Sequence, residues 1–311
     1  MNTIIKEDME YLSSVVVDYE RFSNKTILIT GGNGFLPAYM VDFLMYLNNN
    51  KLLTSSCKVI VLVRNLTHAE KRFQDYLEHY FFTLIHQDVV QETLISGKIN
   101  FIIHAASPAS PKYYSSDPVG VSLPNIIGTK NILELAREKK VESLLYFSSG
   151  EVYGQVDKEN IGETDYGYID PLDLRSCYAE SKRMGESLCK SYGHQYGIPC
   201  KIVRPFHTYG PGMKLDDGRV FADFVQNIVN NENIILKSKG SAIRAFCYLA
   251  DAVEGFFKIL LDGKSGEAYN IANPDTSISI KNLAELLVKL YPKKELKVEY
   301  DFKRNDKYMP S

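Results

Sequence analysis

No apolar run in this sequence approaches the roughly 18 residues needed to cross a bilayer, which excludes a membrane-spanning helix. Positive charge is not in excess either. Lys and Arg number 36 against 38 Asp and Glu, a formal net charge of −2, so no basic field points to nucleic acid or an anionic membrane surface. Cysteine is sparse. Cys57, Cys177, Cys189, Cys200 and Cys247 are odd in number and never form a CxxC pair, which argues against a disulfide framework or a zinc site and for reduced thiols in a cytoplasmic protein; no metal is expected. The opening stretch MNTIIKEDMEYLSSVVVDYE is acidic from Glu7 to Glu10 and lacks the basic region of a secretory signal. It reads instead as an amphipathic segment packing against the domain. Internal repeats and low-complexity segments are absent, although the Asn-rich stretches 48–51 and 230–233 mark turns.

What remains is a chain of 311 residues with ample material for one large domain or two smaller ones. Short β-branched runs recur at 25–30, 58–63, 81–86, 99–104, 143–148 and 200–205. Between them PAYMVDFLMYL, PNIIGTKNILELAREKK and YAESKRMGESLCKSYGHQY carry the helical period. Strands that are apolar almost throughout, alternating with helices, predict an α/β fold: a Rossmann-type doubly wound parallel sheet covered on both faces. After Gly210 the texture changes to loops and short elements, which predicts a smaller C-terminal α+β lobe over the carboxyl ends of the strands. The expected division is an extension at 1–24, a dinucleotide-binding domain at 25–210 to which 245–262 returns, and a substrate lobe formed mainly by 211–311.

TGGNGFLPAYM follows the first strand and opens a helix, the context a glycine fingerprint requires. Gly31 suits the tight turn, and Gly34 lets backbone N–H groups approach a pyrophosphate at the helix start, with Asn33, Phe35 and Leu36 beside them. A third glycine would fall at 37, where Pro37 stands; proline is tolerated in a first helical turn. After the second strand an NAD site usually carries a carboxylate for the ribose hydroxyls. Here Arg64 and Asn65 occupy that place, and an arginine there also accommodates a 2′-phosphate, so NAD and NADP both stay open. Asp88, followed by Val89, is a candidate for the adenine amino group, and a surface turn fits it equally.

Tyr178 and Lys182, four residues apart in SCYAESKRMGE, share one helical face, and a neighbouring ammonium favours the phenolate. The spacing alone also fits a solvated helix surface; its companions are the glycine turn and the Ser-Ser-Gly-Glu segment ending an apolar strand. With HAASPASPKYY, NIIGTKNILELA, SSGEVYG, LRSCYAESKRMGESLC, RPFHTYGPGM, DDGRVFADFV and AIRAFCYLADAV, these residues resemble the extended short-chain dehydrogenase/reductases of the nucleotide-sugar epimerase/dehydratase group. The resemblance spans nearly everything after Lys25. It is nearest to the UDP-glucuronate decarboxylases, with dTDP-glucose 4,6-dehydratases and UDP-glucose 4-epimerases as neighbours.

The resemblance implies a catalytic trio of Ser149, Tyr178 and Lys182, in which Tyr178 removes the hydroxyl proton at sugar carbon 4 while hydride leaves for a bound nicotinamide. It implies that Lys182 holds the nicotinamide ribose and lowers the Tyr178 pKa, that Asn125 supports a water near the lysine, and that Ala105, Ala106, Ser107, Pro205 and His207 line the cofactor cleft. Glu151 falls where dehydratases and decarboxylases keep a working carboxylate. Gly150 departs from the pattern: dehydratases place an Asp there and decarboxylases usually a Ser, which disfavours dehydration and weakens decarboxylation. Ser107, Ser149, Gly150, His207, Arg219 and Arg244 are the implied substrate contacts, with Arg244 the candidate for a sugar carboxylate. His207 stands for the usual Asn, and Gly212 for an Arg. The chain closes on KRNDKYMPS where the family continues, which implies a shortened or reorganised substrate lobe.

The expected activity is therefore redox-neutral chemistry on a nucleotide sugar, a UDP-sugar and UDP-glucuronate first. A 4-epimerase or 4,6-dehydratase, an NADP(H)-dependent 4-reductase and a non-catalytic dinucleotide sensor are the alternatives. The family also implies a homodimer through helices carrying Ile132, Leu135, Met184 and Leu188, positions that fit the sheet side equally.

Overall fold

The computed structural model describes residues 2–158 and 160–302; the terminal KRNDKYMPS lies outside the described residues. The six apolar runs form β1 (Thr26–Thr30), β2 (Lys58–Val63), β3 (Phe82–His86), β4 (Phe101–His104), β5 (Ser143–Phe147) and β6 (Cys200–Pro205). Short later strands are β7 (His207–Tyr209), β8 (Ile234–Leu236), β9 (Ile243–Tyr248), β10 (Ala268–Ile271), β11 (Ser277–Ser279) and β12 (Val298–Tyr300). The helices are α1 (Thr3–Val15), α2 (Phe35–Asn49), α3 (Leu66–Arg72), α4 (Lys112–Ser116), α5 (Pro118–Leu123), α6 (Thr129–Lys139), α7 (Cys177–Tyr196), α8 (Val220–Asn230), α9 (Leu249–Asp262) and α10 (Ile280–Leu290).

Seven strands pair in parallel in the order β10-β6-β5-β4-β1-β2-β3. The chain winds outward from β1 through β2 to β3, then resumes at β4 on the other side of β1. That reversal opens a crevice beyond the carboxyl ends of β1 and β4, the usual ligand position in such sheets. The fold class read from the strand–helix alternation is the one observed. β10, a half-buried edge strand, extends the sheet beyond the six runs visible in the sequence.

One face of the sheet is covered by α2 and α9, and α1 packs across both, burying Met9, Leu12 and Val16 completely or nearly so. This explains why α2 is apolar almost all round. Asp8 of α1 accepts hydrogen bonds from the hydroxyls of Tyr39 on α2 and Tyr248 on β9. The other face holds α6 and α7. Ile132 and Leu135 are 0% and 3% exposed there, so they face the sheet and not an outer surface.

The helical pattern running from Pro124 is not one α-helix. A π-helical turn spans Pro124–Gly128 between α5 and α6. Pro124 lacks the N–H an α-helix would use, and a Cβ on Gly128 would meet Val89 at 2.7 Å. A three-stranded sheet β11-β9-β7, the pair β8 and β12, and helices α8 and α10 surround a second small core of Phe224, Ile228, Leu236 and Leu283. No helix among the described residues is long and apolar enough to cross a membrane.

Candidate active site

β1 ends at the crevice, and the chain turns sharply at Gly31, whose φ of 65° favours glycine. A side chain there is excluded by space as well: a Cβ would lie 2.6 Å from the Ala106 Cα and 2.9 Å from its nitrogen. Gly34 precedes the first turn of α2, and the first intrahelical bond runs from Ala38 N–H to its carbonyl at 3.0 Å. Pro37 therefore sits at the third helical position, where no N–H partner is needed. Asn33 reaches sideways to His68 at 3.2 Å, and Phe35 and Leu36 are half-buried beside it.

At the carboxyl end of β2, Arg64 is exposed, while the Asn65 side chain caps α3 by accepting from His68 N–H at 3.0 Å. Arg72 is not free for a ligand, because it forks onto the buried carboxylate of Asp42. Asp88 accepts from Val90 N–H at 3.1 Å, and Val89 is buried against Gly128.

β5 delivers Ser149 to the same crevice, and α7 presents Tyr178 and Lys182 to it. All three sequence-predicted residues meet. Burial pushes the Tyr178 phenol up to about 12, and the neighbouring Ser149 hydroxyl opposes that rise. Arg219 acts in the same direction as Ser149, and Glu151 against it. Lys182 differs from the expectation. Burial holds its amine down at about 7, and its Nζ donates to the Phe147 carbonyl at 2.5 Å, not to the phenol. The ammonium lies 5.8 Å from the Tyr178 ring centre. In the protein alone, desolvation is the largest influence on both groups.

Around this pair, Glu151 is exposed on a single 3₁₀ turn, Gly150–Tyr153. A Cβ on Gly150 would stand 3.1 Å from the Phe206 ring, so the glycine lets the turn lie on that ring. Burial, reinforced by Arg244 and Arg219, holds the imidazole of His207 neutral at about 4. Burial also lowers Arg244, and Glu151 opposes it. Arg219 and Glu151 thus act on Tyr178, Arg244 and Arg219 on His207, and Glu151 on Arg244. Pro205 ends β6 next to them.

The buried polar atoms without a protein partner among the described residues include the Ser107 hydroxyl and the Asn125 Oδ1. The Asn125 amide nitrogen is held by the Val121 carbonyl and the Ser181 hydroxyl, each at 3.0 Å. Two residues were not singled out in the sequence. Tyr114 stacks on Tyr178 with ring centres 5.0 Å apart and planes 14° off parallel. Arg204, 2% exposed, binds both Glu186 carboxylate oxygens, the Tyr153 hydroxyl at 2.8 Å and the Glu163 carbonyl at 2.9 Å. A buried arginine in an apolar strand run and a second tyrosine in HAASPASPKYY are the signals that would have found them.

A model described as the NAD dependent epimerase/dehydratase family matches residues 27–272. The chain is 36% identical over 278 residues to UDP-glucuronic acid decarboxylase 6 of Arabidopsis thaliana, covering 89% of this chain and 77% of that protein. Its fold is similar to UDP-N-acetylglucosamine 4-epimerase of Methanobrevibacter ruminantium in complex with UDP-N-acetylmuramic acid, with a TM-score of 0.79 at 21% identity over 92% of this chain and 87% of that one. It is also similar to dTDP-glucose 4,6-dehydratase of Bacillus anthracis in complex with NAD, with a TM-score of 0.73 at 21% identity over 89% and 85%. At that identity the two structures speak to the fold.

Proposed function

The chain belongs to the NAD dependent epimerase/dehydratase family, and from that premise we propose that it oxidises carbon 4 of UDP-glucuronate and removes the carboxyl group. It is a nucleotide-sugar-modifying enzyme working with a nicotinamide cofactor. The observation that carries the reading is the meeting of Ser149, Tyr178 and Lys182 at the crevice, with the Lys182 Nζ 5.8 Å from the Tyr178 ring centre and Ser149, Arg219 and Glu151 acting on its phenol. When bound, the cofactor, NAD in this reading, supplies a hydride acceptor and later a donor. The residues present fit it: Gly31, at a φ of 65°, makes the tight turn from β1 to the start of α2, and the Ser107 hydroxyl and Asn125 Oδ1 are buried and unpaired. Residues 25–210 with 245–262 would hold it, and 211–311 would mainly hold the nucleotide sugar.

In this reading Ser149 bonds the carbon 4 oxygen and Tyr178 takes its proton. The carboxylate then lies β to the new ketone, and Arg244 receives it. As carbon dioxide leaves, the Ser149 and Tyr178 hydroxyls stabilise the enolate oxygen. Glu151, exposed beside them, is placed to move the proton at the adjoining carbon. Incubation with UDP-, dTDP-, GDP- and CDP-sugars, followed by mass spectrometry, tests the proposal. UDP-glucuronate is expected to lose the mass of carbon dioxide; an untouched UDP-glucuronate beside another reacting sugar rejects the substrate. Arg64 would admit a 2′-phosphate, so the nucleotide released on denaturing the purified protein decides between NAD and NADP.

A homodimer is part of the proposal, through a surface that keeps Met184 from the sequence reading and leaves out the buried Ile132 and Leu135. Val119, Leu123 and Ile127 near α5, and Met184 on the adjoining α7, are all exposed. Light scattering at micromolar concentration is expected to give a dimer, and Leu123→Glu with Met184→Glu a monomer; a monomeric parent protein rejects the proposal.

A further inference from the structure

His104, the last residue of β4, is 2% exposed and titratable, yet the proposed chemistry does not use it. Its two ring nitrogens are both engaged, Nδ1 with the Thr30 hydroxyl at 2.7 Å and Nε2 with the Thr129 hydroxyl at 3.1 Å. The surrounding bonds fix the direction of each. The Thr129 hydroxyl donates to the Asn125 carbonyl at 2.6 Å, so it accepts from His104 Nε2–H. Nδ1 then carries the lone pair and accepts from the Thr30 hydroxyl, whose oxygen accepts from Ala106 N–H at 3.3 Å. Burial, with Lys182 adding to it, keeps the ring neutral at about 3.

Both ends of this five-member chain are backbone groups, the N–H of Ala106 and the carbonyl of Asn125. Ala106 is the backbone against which the Gly31 turn presses, and Asn125 lies in the π-helical turn and carries the unpaired Oδ1. The Asn125 side chain also holds Ser181, next in sequence to Lys182. We infer that His104 is a positioning residue: as the neutral Nε2–H tautomer it sets the spacing between the Ala106 segment and the Asn125 turn, and so shapes the cofactor cleft. This rests on the nicotinamide reading above. A histidine suits the task because one flat ring presents a donor and an acceptor in fixed directions, whereas an apolar residue would leave two buried hydroxyls with altered partners.

The test is isothermal titration of the parent protein, His104→Leu and His104→Gln with NAD, and separately with UDP. His104→Leu is expected to weaken NAD binding about tenfold, the loss of roughly one buried hydrogen-bonding partner. UDP binding is expected to stay within about twofold. Gln offers an amide donor and acceptor and is expected to recover much of the NAD affinity. Should His104→Leu not fold, Thr129→Val removes the relay at its second link, and a similar selective weakening is expected. NAD binding unchanged in His104→Leu, NAD and UDP falling together, or Gln behaving as Leu would overturn the inference. A parent protein that binds no nicotinamide dinucleotide would count against the functional proposal instead.

Discussion

Tyr178→Phe is expected to lower turnover by roughly 10²–10⁴-fold, the range a positioned acid–base group supplies, while nicotinamide content and fold stay unchanged. The ring would remain stacked on Tyr114, since the stack involves the faces and not the hydroxyl. Only the phenol hydroxyl disappears. Steady-state kinetics on the reacting nucleotide sugar and extraction of the bound nucleotide make the comparison. Turnover within about threefold of the parent would remove Tyr178 from the chemistry, because that is far below the effect of losing a proton-transfer group.

Arg204→Met is expected to cost about 3–5 kcal/mol of folding stability, the size of effect seen when one partner of a buried ion pair is removed. Arg204 closes a four-way junction: it sits on β6, forks onto Glu186 of α7 with 2.8 and 2.6 Å bonds, holds the Tyr153 hydroxyl at the end of the Ser149 loop, and donates to the Glu163 carbonyl at 2.9 Å. Without it, a carboxylate only 13% exposed loses its cation. The same bonds raise the Arg204 guanidinium further above its ordinary range despite burial, so it stays charged throughout. Urea unfolding of the parent and variant measures the cost. A difference below about 1 kcal/mol would mean the junction is no stronger than a surface pair.

The parallel sheet was readable because buried strands leave a plain signature. Runs such as TILIT and KVIVLV offer nearly every side chain to a covering layer, and their starts were placed to within two residues. β10 was missed because AYNI at a sheet edge is half-buried on every residue and too short to show a period. The meeting of Ser149, Tyr178 and Lys182 was also legible, since each follows from a strand end or a helix face. The direction of their electrostatics was not. Spacing four residues apart puts Lys182 beside Tyr178, but depth decides which protonation states survive, and depth is a tertiary property. Similarly, Ile132 and Leu135 fit either side of α6 in sequence, and the sheet claimed them. His104 reads as one more member of an apolar strand until Thr30 and Thr129 are brought to its two nitrogens from distant parts of the chain.

The central claim is that Tyr178 deprotonates a sugar hydroxyl while hydride passes to a nicotinamide in the cleft beyond β1 and β4. Rapid mixing of the holoprotein with UDP-glucuronate carrying deuterium or hydrogen at carbon 4 tests it most directly, with the absorbance of reduced nicotinamide as the readout. The account predicts a transient rise that deuterium slows and Tyr178→Phe suppresses. Product appearing with no such transient and no isotope effect would contradict it.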